Sequence, residues 1–73
     1  MYNIKRECWN EKTYNGYVDA PYWRITFSYY IIGLKDNGEF WAINGKGIDV
    51  NTHYVKDMLN RIITECNLNI TLS

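Results

Sequence analysis

Residues 23–45, WRITFSYYIIGLKDNGEFWAING, decide the fold. Their β-branched and aromatic residues favour strands, and Lys35-Asp36-Asn37-Gly38 breaks the run. The simplest reading is one strand from Trp23 to Leu34, a turn, and a second strand beyond Gly38. A type I turn over Asp36 and Asn37, closed by Gly38 in the left-handed region, makes a three-residue hairpin loop. That loop sets Lys35 opposite Glu39 as a cross-strand ion pair, Gly33 opposite Trp41 and Ile31 opposite Ile43. In an unbroken strand alternate residues share a face. The expected core face is then Ile25, Phe27, Tyr29, Ile31, Trp41 and Ile43. The other face carries Tyr30, Ile32, Leu34 and Phe40, close to Trp9. A one-residue slip would exchange the two sets.

The flanks complete an α+β reading. Residues 2–9, YNIKRECW, alternate: Tyr2, Ile4 and Cys8 fall on one side, and Asn3, Lys5, Glu7 and Trp9 on the other. This predicts a first strand, with Arg6 the exception to its apolar face. Residues 10–22, NEKTYNGYVDAPY, hold Asn15-Gly16 and the only proline, so turn chemistry predicts a loop or loose hairpin. Val55, Met58, Leu59, Ile62, Ile63 and Cys66 follow helical spacing. Asn51 or Thr52 can cap that helix, and Asn67 can end it in a left-handed conformation. The tail LNITLS alternates again and reads as a short last strand. The expected order is β-β-β-α-β: one amphipathic helix on one face of a small, mostly antiparallel sheet, in a single domain over 1–73.

Composition narrows the function. The chain has 73 residues and a net charge of zero, which removes the electrostatic case for duplex DNA. A chain this short gains little from its own core and leans on a staple or a partner. Its aromatic content, with seven Tyr, three Trp and two Phe, suits interfaces. No run approaches a membrane span, and the first residues contain no apolar stretch of a secretory leader. The expectation is a cytoplasmic protein of a host cell. Asn, Ile, Lys and Tyr supply 30 residues and Ala only two, a bias towards AT-rich codons. That suggests a low-GC bacterium, its phage or a mobile element.

No catalytic pattern stands out. Cys8 and Cys66 are expected as reduced, buried thiols in a reducing compartment. A zinc site built from them and His53 lacks a fourth ligand, and about 20 Å of helix would separate His53 from Cys66. His53, between Asp49 and Asp57, has no nucleophile beside it and reads as a solvated first-turn residue. Asn44-Gly45-Lys46-Gly47 could hold an anion ahead of the helix, but its spacing matches no phosphate loop, so a turn is the plainer reading. No cofactor, metal or enzyme activity is expected.

The feature left to interpret is the second sheet face. One helix covers one face; the Tyr-rich segment 10–22 could fold back over the other, which is the plainest reading, and if nothing covers it the apolar patch marks an interface. The leading expectation is a non-enzymatic protein-binding module, an accessory protein that inhibits a host or defence protein by steric occlusion. Its contacts would be Tyr30, Ile32, Leu34 and Phe40, with Arg24 beside them and Trp9, Tyr14, Tyr17, Tyr22 and Trp23 as aromatic anchors. A homodimer or homo-oligomeric subunit would bury the same patch. A third reading is a single-stranded nucleic-acid binder using Lys5, Arg24, Thr26, Ser28, Tyr30 and Phe40.

Overall fold

The computed structural model describes all 73 residues. Four strands precede the helix: β1 (Tyr2–Thr13), β2 (Gly16–Phe27), β3 (Tyr30–Lys35), β4 (Phe40–Asn44) and α1 (Thr52–Glu65). They form one antiparallel meander, β1-β2-β3-β4. The α+β class holds, but the element count differs from expectation at both ends of the chain.

The expected strand over 23–34 is two strands. Phe27 pairs with Tyr30, so Ser28 and Tyr29 form a two-residue turn. Ser28 takes a positive φ of 49° there. Positive φ suits the tight turns that follow strand twist, but Ser-Tyr lacks the Asn-Gly signature that would announce one. The consequence is a change of parity. Ile25 and Phe27 face the helix, and after the turn so do Tyr30, Ile32 and Leu34.

The second hairpin has the expected register, with Gly33 opposite Trp41 and Ile31 opposite Ile43. Lys35 N–H donates to the Glu39 carbonyl at 2.8 Å, and Gly38 has φ 93°. Because β3 is flipped, the faces are exchanged. Phe40 and Ala42 lie on the helix side, and Trp41 and Ile43 on the outer side. Lys35 turns away from Glu39 and brings its ammonium to 3.9 Å from Glu11.

The core is Ile25, Phe27, Ile32 and Leu34 of the sheet against Val55, Leu59 and Ile62 of α1. Full burial of each such side chain stabilises by roughly 1.5–3 kcal/mol. Asn51 caps the helix, its Oδ1 accepting from Tyr54 N–H at 3.1 Å. Asn67 ends it at φ 58°, where Leu68 N–H donates to the Ile63 carbonyl and Asn67 N–H to that of Thr64. This is a Schellman closure, with Asn replacing the usual Gly.

The expected last strand is absent. Leu68, Ile70 and Leu72 do pack against the core. Their alternation reflects that packing and no ladder: the tail's one backbone bond to the sheet runs from Ser73 N–H to the Gly38 carbonyl. The expected loop over 10–22 is strand throughout except for Tyr14 and Asn15. Residues 10–19 are exposed on both faces, so nothing apolar alternates to reveal the strands.

Two bonds tie the ends of this fold together. Arg6 donates both guanidinium nitrogens to Asp36, at 2.7 and 2.6 Å, and stacks over Trp23. The hydrogen bonds from Arg6 hold the Asp36 carboxyl below the usual range. A carboxyl lowered in the folded state stabilises above its unfolded pKa of about 3.9 and loses that contribution as pH falls through the folded value. Asp36→Asn is therefore expected to lower stability at pH 7, by less than about 1 kcal/mol for so exposed a pair. Urea unfolding should show the difference from wild type vanish near pH 2. On the same turn as Asp36, Gly38 combines positive φ with a tail carbonyl close by: a Cβ there would collide with Thr71 O. Gly38→Ala should cost roughly 1 kcal/mol or more, read as a lower urea midpoint.

Candidate functional site

The sheet face opposite α1 has no cover from the chain. Cross-strand rows run across it. Asn3, Thr26, Ile31 and Ile43 form one row, and Lys5, Arg24, Gly33 and Trp41 the next. Glu7, Tyr22 and Lys35 form a third, and Trp9 beside Ala20 lies beyond them.

At one end of this face three rings form a pavement. Trp9 lies 4.9 Å from Tyr22 and 6.2 Å from Trp41, centroid to centroid. Trp41 reaches this position because Gly33 opposite it has no side chain; a Cβ on Gly33 would overlap the indole. The ammonium of Lys35 sits over Trp9 at 4.9 Å. Tyr22 is buried, and its hydroxyl donates to Glu7 at 2.8 Å. That hydrogen bond, with desolvation, raises the Tyr22 pKa above its ordinary value.

Beside the pavement lies a polar hollow of about 310 Å³, lined by Asn3, Lys5, Glu7, Arg24 and Thr26. Arg24 approaches Glu7 at 3.7 Å. Lys5 has no carboxylate within ion-pairing distance and is the free cation of the hollow. Hydrogen-bond donors, acceptors and one unpaired positive charge therefore border an aromatic floor.

The second exposed feature is an arm. β3 pairs with β2 only as far as Tyr22, so residues 8–21 continue as a bare two-stranded ribbon. Pro21, next along, has no N–H to offer a third strand. Tyr14 at the tip, Tyr17 and Val18 are 100%, 66% and 50% exposed, a solvent exposure that the arm's lack of any covering element explains.

The residues expected to form one contact patch separate into three places. Ile32 and Leu34 are fully buried under α1 and cannot meet a partner in this fold. Tyr30, Phe40 and Trp23 are also on the helix side, packed against the core. The parity change at Ser28–Tyr29 moved Tyr30, Ile32, Leu34 and Phe40, whereas Trp23 faces the helix because it alternates with Ile25 and Phe27 on β2 itself. Trp9, Tyr22 and Arg24 do lie on the outer face, and Tyr14 and Tyr17 on the arm. Trp41 was assigned to the core, and it is instead one of the three rings of the outer pavement. Its pairing with Gly33 was legible: a glycine opposite a tryptophan leaves room for an indole to lie flat.

The other singled-out residues take plain roles. Cys8 is exposed and not buried, whereas Cys66 is half-buried, with its sulfur 3.4 Å from the Tyr2 hydroxyl. That contact and the one to Glu65 raise the Tyr2 pKa well above its ordinary value. His53 is exposed in the first turn. Lys46 N–H bonds Asn44 Oδ1 in a local turn, and its ammonium sits over Tyr29. The helix begins beyond that turn, so its amides do not converge on the glycines. No three His, Cys, Asp or Glu side chains gather as a metal site, and no helix is long and apolar enough to cross a membrane.

Comparison with known proteins returns no match: no family model, no curated protein and no solved structure matches the chain.

The pavement makes one prediction. Gly33→Ala should lift Trp41 off the sheet while leaving the buried core intact. Tryptophan fluorescence should shift to longer wavelength with the far-ultraviolet circular dichroism unchanged. An unshifted spectrum would mean that Trp41 does not rest on Gly33.

Proposed function

We propose that the chain is a non-enzymatic protein-binding module whose contacts are the projecting arm and the aromatic end of the outer sheet face. The observation that carries the reading is the arm. It holds Tyr14, Tyr17 and Val18 in solvent, on a ribbon that no other element of the chain covers. Rigid rings on a β-ribbon present contact area at small entropic cost. The Trp9–Tyr22–Trp41 pavement lies at the base of the same arm, so one partner could span both. An arm reaching into a partner's functional cleft would act by steric occlusion. Origin in a phage or mobile element, and inhibition of a host or defence protein in the cytoplasm, are suggested by the size and coding bias of the sequence.

A second reading is favoured by the hollow. Lys5 and Arg24 beside stacked rings are the pairing by which single-stranded nucleic acid is held, cations along the backbone and rings under the bases. Affinity by that route would fall steeply with salt.

One experiment separates the two. Tagged wild type and a Tyr14→Ser, Tyr17→Ser, Val18→Thr variant are used for affinity capture from a low-GC bacterial lysate, with and without nuclease. The expected result is a near-stoichiometric protein band that survives nuclease and is lost with the variant. A band retained by the variant would reject the arm as the contact. A catch lost on nuclease treatment would reject the protein-binding reading in favour of nucleic acid.

A further inference from the structure

β1 is an edge strand along its whole length. Its closing pair with β2, Thr13 with Gly16 across a two-residue turn, fixes which backbone groups face inward. Counting back from Thr13, the odd residues bond to β2. Tyr2, Ile4, Arg6, Cys8, Asn10 and Lys12 point their N–H and C=O groups out of the sheet. None of these groups takes part in the backbone bonds made outside the strand ladders. The opposite edge, β4, is less than half as long. Long free edges are templates for another strand.

From this edge we infer that two copies of the chain pair antiparallel through β1, about a two-fold axis at Cys8, to make one continuous eight-stranded sheet. Charge selects both the occupant and the register. In an isologous pairing with the axis perpendicular to the sheet, each residue faces the one equally far beyond the axis. An axis at Lys5, Arg6 or Glu7 sets that residue against its own copy. An axis at Trp9 sets Glu7 against Glu11 and Arg6 against Lys12. Like charges directly opposite are destabilising. An axis at Cys8 opposes no like charges over residues 3–13. It places Lys5, the unpaired cation of the hollow, opposite Glu11 of the second copy, twice by symmetry. Arg6 faces Asn10, Glu7 faces Trp9, and Ile4 faces Lys12. The more distal axes at Ile4 and Asn10 also avoid like charges but pair only a few residues on each side.

The pairing also completes the arm. A two-stranded ribbon is marginal alone in water. In the dimer the β1 half of each arm lies against residues 3–8 of the other copy, so a bare ribbon becomes the centre of a wide sheet. Both helices stay on one face, and both aromatic pavements on the other. Tyr17 and Val18 lie on β2, away from the new seam, and stay free for the proposed partner, while Tyr14 comes to the end of the seam opposite Tyr2 of the second copy.

The axis makes a chemical prediction. Facing residues in a hydrogen-bonded antiparallel pair have Cα atoms about 5.5 Å apart, inside the range a disulfide spans. Diamide should therefore take two electrons and two protons from a pair of Cys8 thiols and leave a covalent dimer. Wild type at high micromolar concentration is expected to sediment at twice its 8.7 kDa mass. Cys66→Ser should cross-link like wild type, and Cys8→Ser should not. In a Cys8→Ser, Cys66→Ser background, Lys5→Cys and Glu11→Cys should cross-link only when mixed. Asn10→Pro removes an outward N–H that is idle in the monomer, so it should yield a folded monomer by circular dichroism and sedimentation. Wild type sedimenting as a monomer would overturn the inference. So would a dimer that survives Asn10→Pro, or Lys5→Cys cross-linking to itself.

Discussion

Side chains on a strand alternate between the two faces of a sheet, and a hairpin turn resets that alternation. In this chain the two-residue turn at Ser28–Tyr29 is the constraint on which the rest depends. It places Ile32 and Leu34 with Ile25 and Phe27 under the helix. Through the fixed register of the next hairpin it then sends Phe40 inward and Trp41 outward. Without the turn, Ile32 and Leu34 would face solvent while Tyr29 and Ile31 packed against Val55, Leu59 and Ile62. Which residues make the core, and which make the surface, follows from two positions that carry no apolar contact of their own.

The two faces that result are chemically distinct. The helix side is apolar, aliphatic residues around Phe27 with Tyr2, Tyr30 and Tyr54 around its margin. The outer side is amphipathic: rings at one end, and an amide, a hydroxyl, a carboxylate and two cations at the other. Gly33 links them, because its missing side chain lets Trp41 lie across β3 towards Tyr22 and Trp9. The outer face is therefore built by an absence on the central strand as much as by the rings it displays.

Beyond Tyr22 the sheet narrows to the β1–β2 arm, where secondary structure continues with no core beneath it. Local pairing alone supports those residues, and chains usually avoid such exposure. Pro21 limits the inner strand of the arm, while the charges of β1 restrict what can pair with the outer one. Arg6 anchors the base of the arm to the β3–β4 turn through Asp36, so the ribbon leaves the sheet from a fixed point.

Local signals determined much of this molecule. The stripe from Val55 to Cys66, the Asn51 cap and the Asn67 stop locate the helix, because helical period and end chemistry are written in neighbouring residues. Asp36-Asn37-Gly38 set the register of the last hairpin for the same reason: only glycine takes that left-handed position cheaply. The strand nature of 10–20 was not legible, because a ribbon exposed on both faces leaves no apolar alternation to read. The tail misled in the opposite way, since Leu68, Ile70 and Leu72 alternate to meet the core and not to join a ladder. Of the candidate site residues, Trp9, Tyr22 and Arg24 lie on the outer face and Tyr14 and Tyr17 on the arm, while Tyr30, Ile32, Leu34, Phe40 and Trp23 lie on the helix side. For all of the latter but Trp23, whose face follows from its own strand's alternation with Ile25 and Phe27, the side of the sheet depended on Ser28, a residue with no turn signature that takes a positive φ. Sequence determined the elements whose causes lie within a few residues, and tertiary packing decided which face each strand shows.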